Sequence, residues 1–356
     1  MTAQGGGGGW DGPPGGALPA GEPPDDDEDA PAVVIPPQEV LAEIDAGPAL
    51  PARERLRALS DCPDDVVAGF VELWPRLNPP RRRELLATLT ALSEEDATLD
   101  FHRVCLSALL DPDAATRILA VRGLWEQQRS DYLRLLLDRL RHDDAPLVRA
   151  AVAEVLGRFV VSMEFGLLDE DDSALLSGDL REVAEDVTDP DDVRARALEA
   201  LGAFSEEWVS ELIADFYQSG SDRLRLGAVR AMGRNARDEW LPLILEGFDE
   251  EDPELRAASA TAAGYLLLDD AVDPLLLLAI DDTEEEVQLA AVAALGEIAS
   301  DFAIRVLRRL AREGLPHVVE AAQAALAQAQ MVPLGAFDPL ADGDGAEPGD
   351  DDEGGA

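Results

Sequence analysis

Lysine is missing from this 356-residue chain, and all 29 basic residues are arginine. Set against 74 acidic residues they leave a formal net charge of −45. A field of that sign repels phosphate, which argues against nucleic acid and anionic membranes as partners and steers basic proteins in. Solubility alone also accounts for such a charge. Histidine is nearly as scarce: the three stand in His102-Arg103, His142-Asp143 and His317-Val318. Scattered in this way they supply no Ser/His/Asp or Cys/His set with any spacing logic, and no imidazole set for a metal centre. Cys62 and Cys105 are the only cysteines, too few for a disulfide framework or a zinc site. No run comes near the ~18 consecutive apolar residues of a membrane span. The start, Met1 to Gln4 followed by Gly5 to Gly9, lacks the charged and apolar regions of a signal peptide, so the expected location is the cytoplasm. That glycine run has no strand before it and is no phosphate loop. Aromatic residues make up 5% of the chain, which beside plentiful Ala and Leu suits thin helix-on-helix packing and an all-α fold.

What the chain does have is a repeat. Its clearest copy is Asp252-Pro253-Glu254-Leu255-Arg256 leading to Gly264, and the same pattern returns around Arg149, Arg194, Arg225 and Gln288, with Gly157, Gly202, Gly233 and Gly296 eight residues beyond each anchor. Anchors at 149, 194, 225, 256 and 288 recur at the period of a helical solenoid. Each unit pairs an apolar first helix with an acidic turn and an Ala-rich second helix. Asp-Pro at the turn, as in Asp111-Pro112, Asp189-Pro190 and Asp252-Pro253, starts a helix well: the carboxylate caps, and proline has no amide hydrogen to leave orphaned. Aliphatics at −1, +3, +4 and +7 from the anchor, for example Val193, Ala197, Leu198 and Leu201, form one buried stripe. The glycine at +8 either lets neighbouring helices approach closely or ends its helix in a left-handed cap.

The expected organisation is a Gly/Pro/acidic disordered tail over residues 1–48, a solenoid of about seven to eight helix pairs over 49–330, and a disordered acidic tail over 331–356. The tails hold no arginine, and their 10 and 8 acids leave −27 on the solenoid. In the first tail Trp10 is an isolated aromatic; in the second, Asp342-Gly343-Asp344-Gly345 lacks the later ligands of a calcium loop. Residues 49–99 read as N-terminal capping helices, with Arg81-Arg82-Arg83 on a solvated helix edge. Between Arg149 and Arg194 the spacing swells to 45, so residues 158–188 read as an insertion. An insertion of this kind maps to a loop, or lengthens a helix, on one face of the array.

This unit, an apolar helix, an Asp-Pro turn, Val/Leu-Arg and an Ala-rich helix ending in Leu-Gly, resembles the HEAT repeats, in particular bacterial ones similar to phycobilisome lyase HEAT-like repeats. The resemblance covers roughly residues 50–330 and implies a right-handed α-solenoid. It also implies a polar ladder in which turn Asp and helix Arg link adjacent repeats. Arg117, Arg149, Arg194, Arg225 and Arg256 match that arginine, and Gln288 departs from it. Family membership implies scaffolding and no reaction.

The expected function is therefore a non-catalytic scaffold that takes a basic protein partner along the groove lined by second helices, with no cofactor and no metal. Glu154, Arg196, Glu199, Arg230 and Thr261 are the expected exposed contacts. Glu284, Glu285 and Glu286 join them because residues 241–300 hold 15 acids and the single base Arg256. The alternative is an enzyme or enzyme subunit of the HEAT-like kind, similar to phycobilin lyases or to deoxyhypusine hydroxylases. The latter hold a di-iron centre with His-Glu pairs, and this chain has no such pair.

Overall fold

The computed structural model describes residues 35–331; Trp10, the Asp342 to Gly345 motif and most of both expected tails lie outside them. Among the described residues every regular element is helical. The chain opens with α1 (Pro37–Ala46), the single-turn α2 (Arg53–Leu56), α3 (Asp64–Leu73) and α4 (Pro79–Glu95). Seven helix pairs follow. They are α5 (His102–Ala108) with α6 (Ala114–Arg122), α7 (Ser130–His142) with α8 (Pro146–Glu164), and α9 (Glu170–Glu185) with α10 (Asp191–Leu201). Then come α11 (Glu207–Tyr217) with α12 (Asp222–Asn235), α13 (Leu241–Glu246) with α14 (Pro253–Tyr265), α15 (Val272–Asp281) with α16 (Glu285–Ile298), and α17 (Asp301–Glu313) with α18 (Pro316–Met331).

Local chemistry sets the helix starts. The side chains of Asn78, Asp113, Asp169, Ser221, Asp252 and Ser300 each accept a backbone amide in the first turn of α4, α6, α9, α12, α14 and α18's partner α17, satisfying donors that a helix start leaves open. The predicted stripe is buried: Val193, Ala197, Leu198 and Leu201 in α10, and Val287, Ala291, Val292 and Leu295 in α16, are inaccessible to solvent. Second helices stack on one another from α6 to α18, while each first helix packs on its own partner. One continuous core results, spread along the array.

The glycine eight residues after the anchor serves close approach. A Cβ on Gly264 would lie 2.8 Å from Ala294 Cα, and one on Gly233 would lie 2.9 Å from Ala262 Cα. Helix α14 thus presents glycine to the backbone of α16, and α12 presents it to α14. The left-handed caps fall elsewhere, at Ala236 and Ala299. Gly264→Ala is expected to lower the melting temperature, because about 1–3 kcal/mol of overpacking exceeds the ~1 kcal/mol gained in helix propensity. Gly178, exposed in α9 with open space where its Cβ would stand, is the control. There the same change is expected to raise the melting temperature, since only the ~0.5–1 kcal/mol propensity gain operates. Changes of equal sign at both sites would contradict the packing role.

Three expectations are corrected. Residues 37–46, assigned to the disordered tail 1–48, form α1, which buries Val40, Leu41 and Ile44 against the array. The stretch 158–188 is not a surface loop: the part up to Glu164 lengthens α8 to 19 residues, as the insertion reading allowed, and the rest forms α9, the first helix of its repeat, with Leu176, Leu180, Val183 and Ala184 buried. Arg82 does not lie on a solvated edge. It is buried, donates to Trp74 O at 3.1 Å and to Asp111 Oδ2 at 2.9 Å, and Trp74 Nε1 donates to the same carboxylate.

Candidate protein-binding groove

The joints between repeats come first, because they fix how the groove-lining helices sit. Arg117 Nε and Nη2 donate to the two oxygens of Asp143 in the next turn, at 2.9 and 2.7 Å, while Nη1 donates to Asp111 O in its own turn. Arg149 makes the same fork on Asp189, Arg225 donates to Glu250, and Arg256 reaches both oxygens of Asp282 and the carbonyl of Glu250. Paired forks of this kind are directional as well as strong. The Arg256 fork holds the Asp282 carboxyl below the usual carboxylate range, outweighing its burial. Such a carboxylate stabilises the fold above its unfolded pKa of about 4, and the contribution is lost as pH falls through the lower folded value.

Two joints depart from this pattern. At Arg194 the ladder is broken: its guanidinium bonds Ala184 O and Asp191 of its own helix and lies over the Phe216 ring, and in place of the fork Ser221 Oγ of the next turn donates to Asp191. At Gln288 the ladder continues uncharged. Its amide nitrogen donates to Asp282 O, and its oxygen lies 2.6 Å from His317 Nε2.

The groove itself runs over α10, α12, α14 and α16, with a cavity of about 550 Å³ at its centre. Its floor is α14, where Ala257, Ala258 and Ala262 keep the surface low and Tyr265, half-exposed, stands at the far end. Its charged walls are Glu199, Arg230, Arg234, Asp252, Glu254 and Glu286. Both arginines are already held: Arg230 by Glu254 at 3.0 Å and Arg234 by Glu199 at 2.8 Å. Among the described residues Glu285 and Glu286 have no salt-bridge partner, and both are exposed in the first turn of α16.

The structure distributes the expected contact residues unevenly. Glu199, Arg230, Thr261 and Glu286 line this cavity. Glu199 is buried rather than exposed, clamped between Arg196 at 2.7 Å and Arg234, so the expectation of an exposed contact is corrected; Arg196 acts beside the groove through it. Glu154 faces a second depression of about 580 Å³ further toward the N-terminus. Glu284 and Glu285 are exposed at the start of α16 and do not line the cavity. Tyr265 and Arg234 escaped the sequence reading, although both stand nine residues after an anchor, one turn beyond the expected contacts at +5.

His102 bonds Asp100, His142 lies beside Asp138 and His317 meets Gln288, in separate repeats. Among the described residues no three His, Cys, Asp or Glu side chains are placed to hold a metal ion, and no helix is long and apolar enough to cross a membrane. Cys62 and Cys105 are free and buried, and burial pushes the Cys105 thiol up to about 12, which keeps it in the unreactive protonated form.

Stacked helix pairs with glycine-to-alanine contacts between second helices, arginine forks across the joints and one continuous core define an α-solenoid. A family profile for HEAT repeats matches residues 103–178 and 241–327, and the chain is a HEAT-repeat protein. Solved structures similar to it include YibA of E. coli, 15% identical over 78% of this chain and 95% of that one with a TM-score of 0.42. Human deoxyhypusine hydroxylase in complex with glycerol is 19% identical over 83% and 96%, with a TM-score of 0.32. Kap121p bound to Nup53p is 16% identical over 82% of this chain and 41% of that one, with a TM-score of 0.38. No curated protein matches the sequence.

Proposed function

We propose that this protein is a non-catalytic scaffold that binds a basic segment of another protein along the groove over α10 to α16. The observation that carries the reading is the groove's composition. A low alanine floor leaves room for a chain, Tyr265 offers an aromatic anchor, and the walls are acidic because their two arginines are consumed by Glu199 and Glu254. Aromatic anchors in a depression ringed by complementary charge are the usual source of affinity and of steering. The reading places the protein in the cytoplasm, away from nucleic acid and membranes, whose phosphates a net charge of −45 repels. Against the hydroxylase-like alternative speaks the separation of the three histidines, each bonded to a neighbour of its own.

A photo-crosslinking amino acid placed at Tyr265 in the full chain tests this in the native host. A discrete protein adduct is expected at 265 and lost when Asp252 and Glu286 are both changed to Arg. The same probe at Leu277, exposed on α15, is expected to give none. Adducts that survive the charge reversals, or that form equally at 277, would remove the groove from the reading. A coloured, bilin-bearing product on co-expression would favour the lyase-like alternative instead.

A further inference from the structure

The second depression belongs to a surface that the groove reading does not use. Helix α8 continues past Gly157, where the second helices α10, α12, α14 and α16 end within about a turn of their corresponding glycines, and it adds residues up to Glu164. Glu154, Arg158, Val161 and Phe165 follow one another at 4, 3 and 4 residues, which puts them within about 40° of one line along the helix and about 16 Å from end to end. Val161 is 42% exposed and Phe165 75% exposed, and Leu167 just beyond is exposed as well. The Arg158 guanidinium lies over the Trp125 ring, 5.2 Å from its centre, so that a second exposed aromatic stands beside the stripe. Glu154 and Trp125 both line the 580 Å³ depression into which the stripe leads.

This extension is held firmly on its other side. Phe159, Val160 and Met163 are buried, Ser162 Oγ donates to Gln128 Oε1, and Glu164 accepts from both the amide and the hydroxyl of Ser205 in the following repeat. An ordered helix end thus presents Val161 and Phe165, with Leu167 just beyond, to solvent without a protein partner among the described residues. An exposed apolar face on a preformed element marks an interaction surface.

Charge decides what covers it. The line is bordered by exposed carboxylates at Glu94, Glu126, Glu164, Asp169, Glu170 and Asp171; they outnumber the two arginines there, Arg158, which pairs with Glu126 at 3.6 Å, and Arg122, which pairs with Glu154 at 3.9 Å. A second copy of this chain would bring another −45 to it, and the chain's own ends, residues 1–34 and 332–356, contain acids and no base. Both are opposed by like charge, as are nucleic acids and anionic membranes. We infer that the stripe from Glu154 to Phe165, with Trp125, is a second docking surface, and that its occupant is a basic amphipathic helix of another protein. Its apolar side, repeating at three and four residues, lies along Val161 and Phe165, with an end in the Trp125 depression, and its arginines or lysines meet the bordering acids.

A synthetic, Trp-free helical peptide of about 18 residues, with leucines at i, i+3, i+7 and i+11 among arginines and alanines, serves as the probe against the full chain. A scrambled peptide of the same composition is the control. The amphipathic peptide is expected to bind about tenfold more tightly than the scrambled one and to shift tryptophan emission, a shift lost in Trp125→Phe. Val161→Asp with Phe165→Asp is expected to abolish that tenfold preference, Phe165→Ser alone to reduce it about threefold, and Leu277→Asp on α15 to leave it unchanged. All four are substitutions of exposed side chains, and an unchanged helical circular dichroism spectrum verifies each. Equal binding of the two peptides would reduce the effect to bulk charge and overturn the inference. So would an unchanged preference in the double variant, or self-association of the protein that the double variant abolishes, since a second copy would then be the occupant. None of these outcomes depends on Tyr265 or Glu286, so the surface and the groove stand or fall separately.

Discussion

Replacing Arg117 with Met is expected to destabilise the full chain by about 3–5 kcal/mol, the cost of leaving a buried carboxylate without its counter-charge. Arg117 and Asp143 are both almost fully buried, with side chains 9% and 2% exposed. The substitution keeps the length of the apolar stem but strips Asp143 of both guanidinium hydrogen bonds, leaving it the amide of Ala145. Arg194→Met is the internal comparison. There the carboxylate left behind is Asp191, whose side chain is 43% exposed and still accepts from Ser221, so a smaller loss of about 1–2 kcal/mol is expected, from the guanidinium bond to Ala184 O, the exposed Asp191 pair and the Phe216 contact. Urea denaturation followed by helical circular dichroism measures both. Adding Asp143→Asn to the Arg117 variant removes the orphan charge and keeps an acceptor for Ala145, and is expected to restore more than half of the loss. Equal losses at 117 and 194, or no recovery in the double variant, would show that the forks are ornaments of an array held by its apolar core alone.

The contrast between those two arginines also shows what was legible in the sequence. The anchor arginines are visible because one residue type recurs at a fixed place, and the reading accordingly put its doubt at Gln288, where the arginine is missing. A rung has two ends, however. The accepting acid stands five or six residues before the next anchor, as Asp111, Asp143, Asp189, Glu250 and Asp282, and at the anchor Arg225 those places hold Ser219 and Gly220. The break falls there, after Arg194, while Gln288 keeps the carbonyl bond that the arginines make to their own turn and takes His317 as a neutral partner. The glycine rule has the same two-body form: glycine at +8 of one repeat meets alanine at +6 of the next, as Gly233 meets Ala262 and Gly264 meets Ala294.

The groove was legible in part for a related reason. Position +5 of each second helix gives Glu154, Glu199, Arg230 and Thr261, and one helical turn fixes their common face. Which of these reach solvent depends on neighbours that periodicity does not contain. Arg196 and Arg234 converge on Glu199 and bury it, and the ends of the helices, where Tyr265 and Phe165 stand, are set by lengths that vary from repeat to repeat.

Helix α9 was the element hardest to see, and its removal has the other large expected effect. Its apolar residues Leu176, Leu180 and Val183 are interleaved with Asp172, Asp179 and Glu182, and it carries no aromatic residue, so it reads as polar surface. Two of those acids are in fact buried against the preceding repeat, Asp172 by Arg134 and Asp179 by Arg141, and the helix covers α8 and α10. Leu180→Ala is therefore expected to cost about 2–5 kcal/mol, the range for a leucine truncated in a packed core, whereas Leu175→Ala, 42% exposed on the same helix, is expected to stay within about 0.5 kcal/mol. Deleting residues 163–174 is the harsher test. It takes away buried Met163 and Asp172, the Asp169 cap and the first turn of α9, and a cooperative helical transition is not expected to survive it. Were this stretch a loop, shortening it would change the closure entropy by no more than about 1 kcal/mol. A deletion variant that melts cooperatively with its helical signal intact would return residues 158–188 to the surface of the molecule and leave α9 without a part in the core.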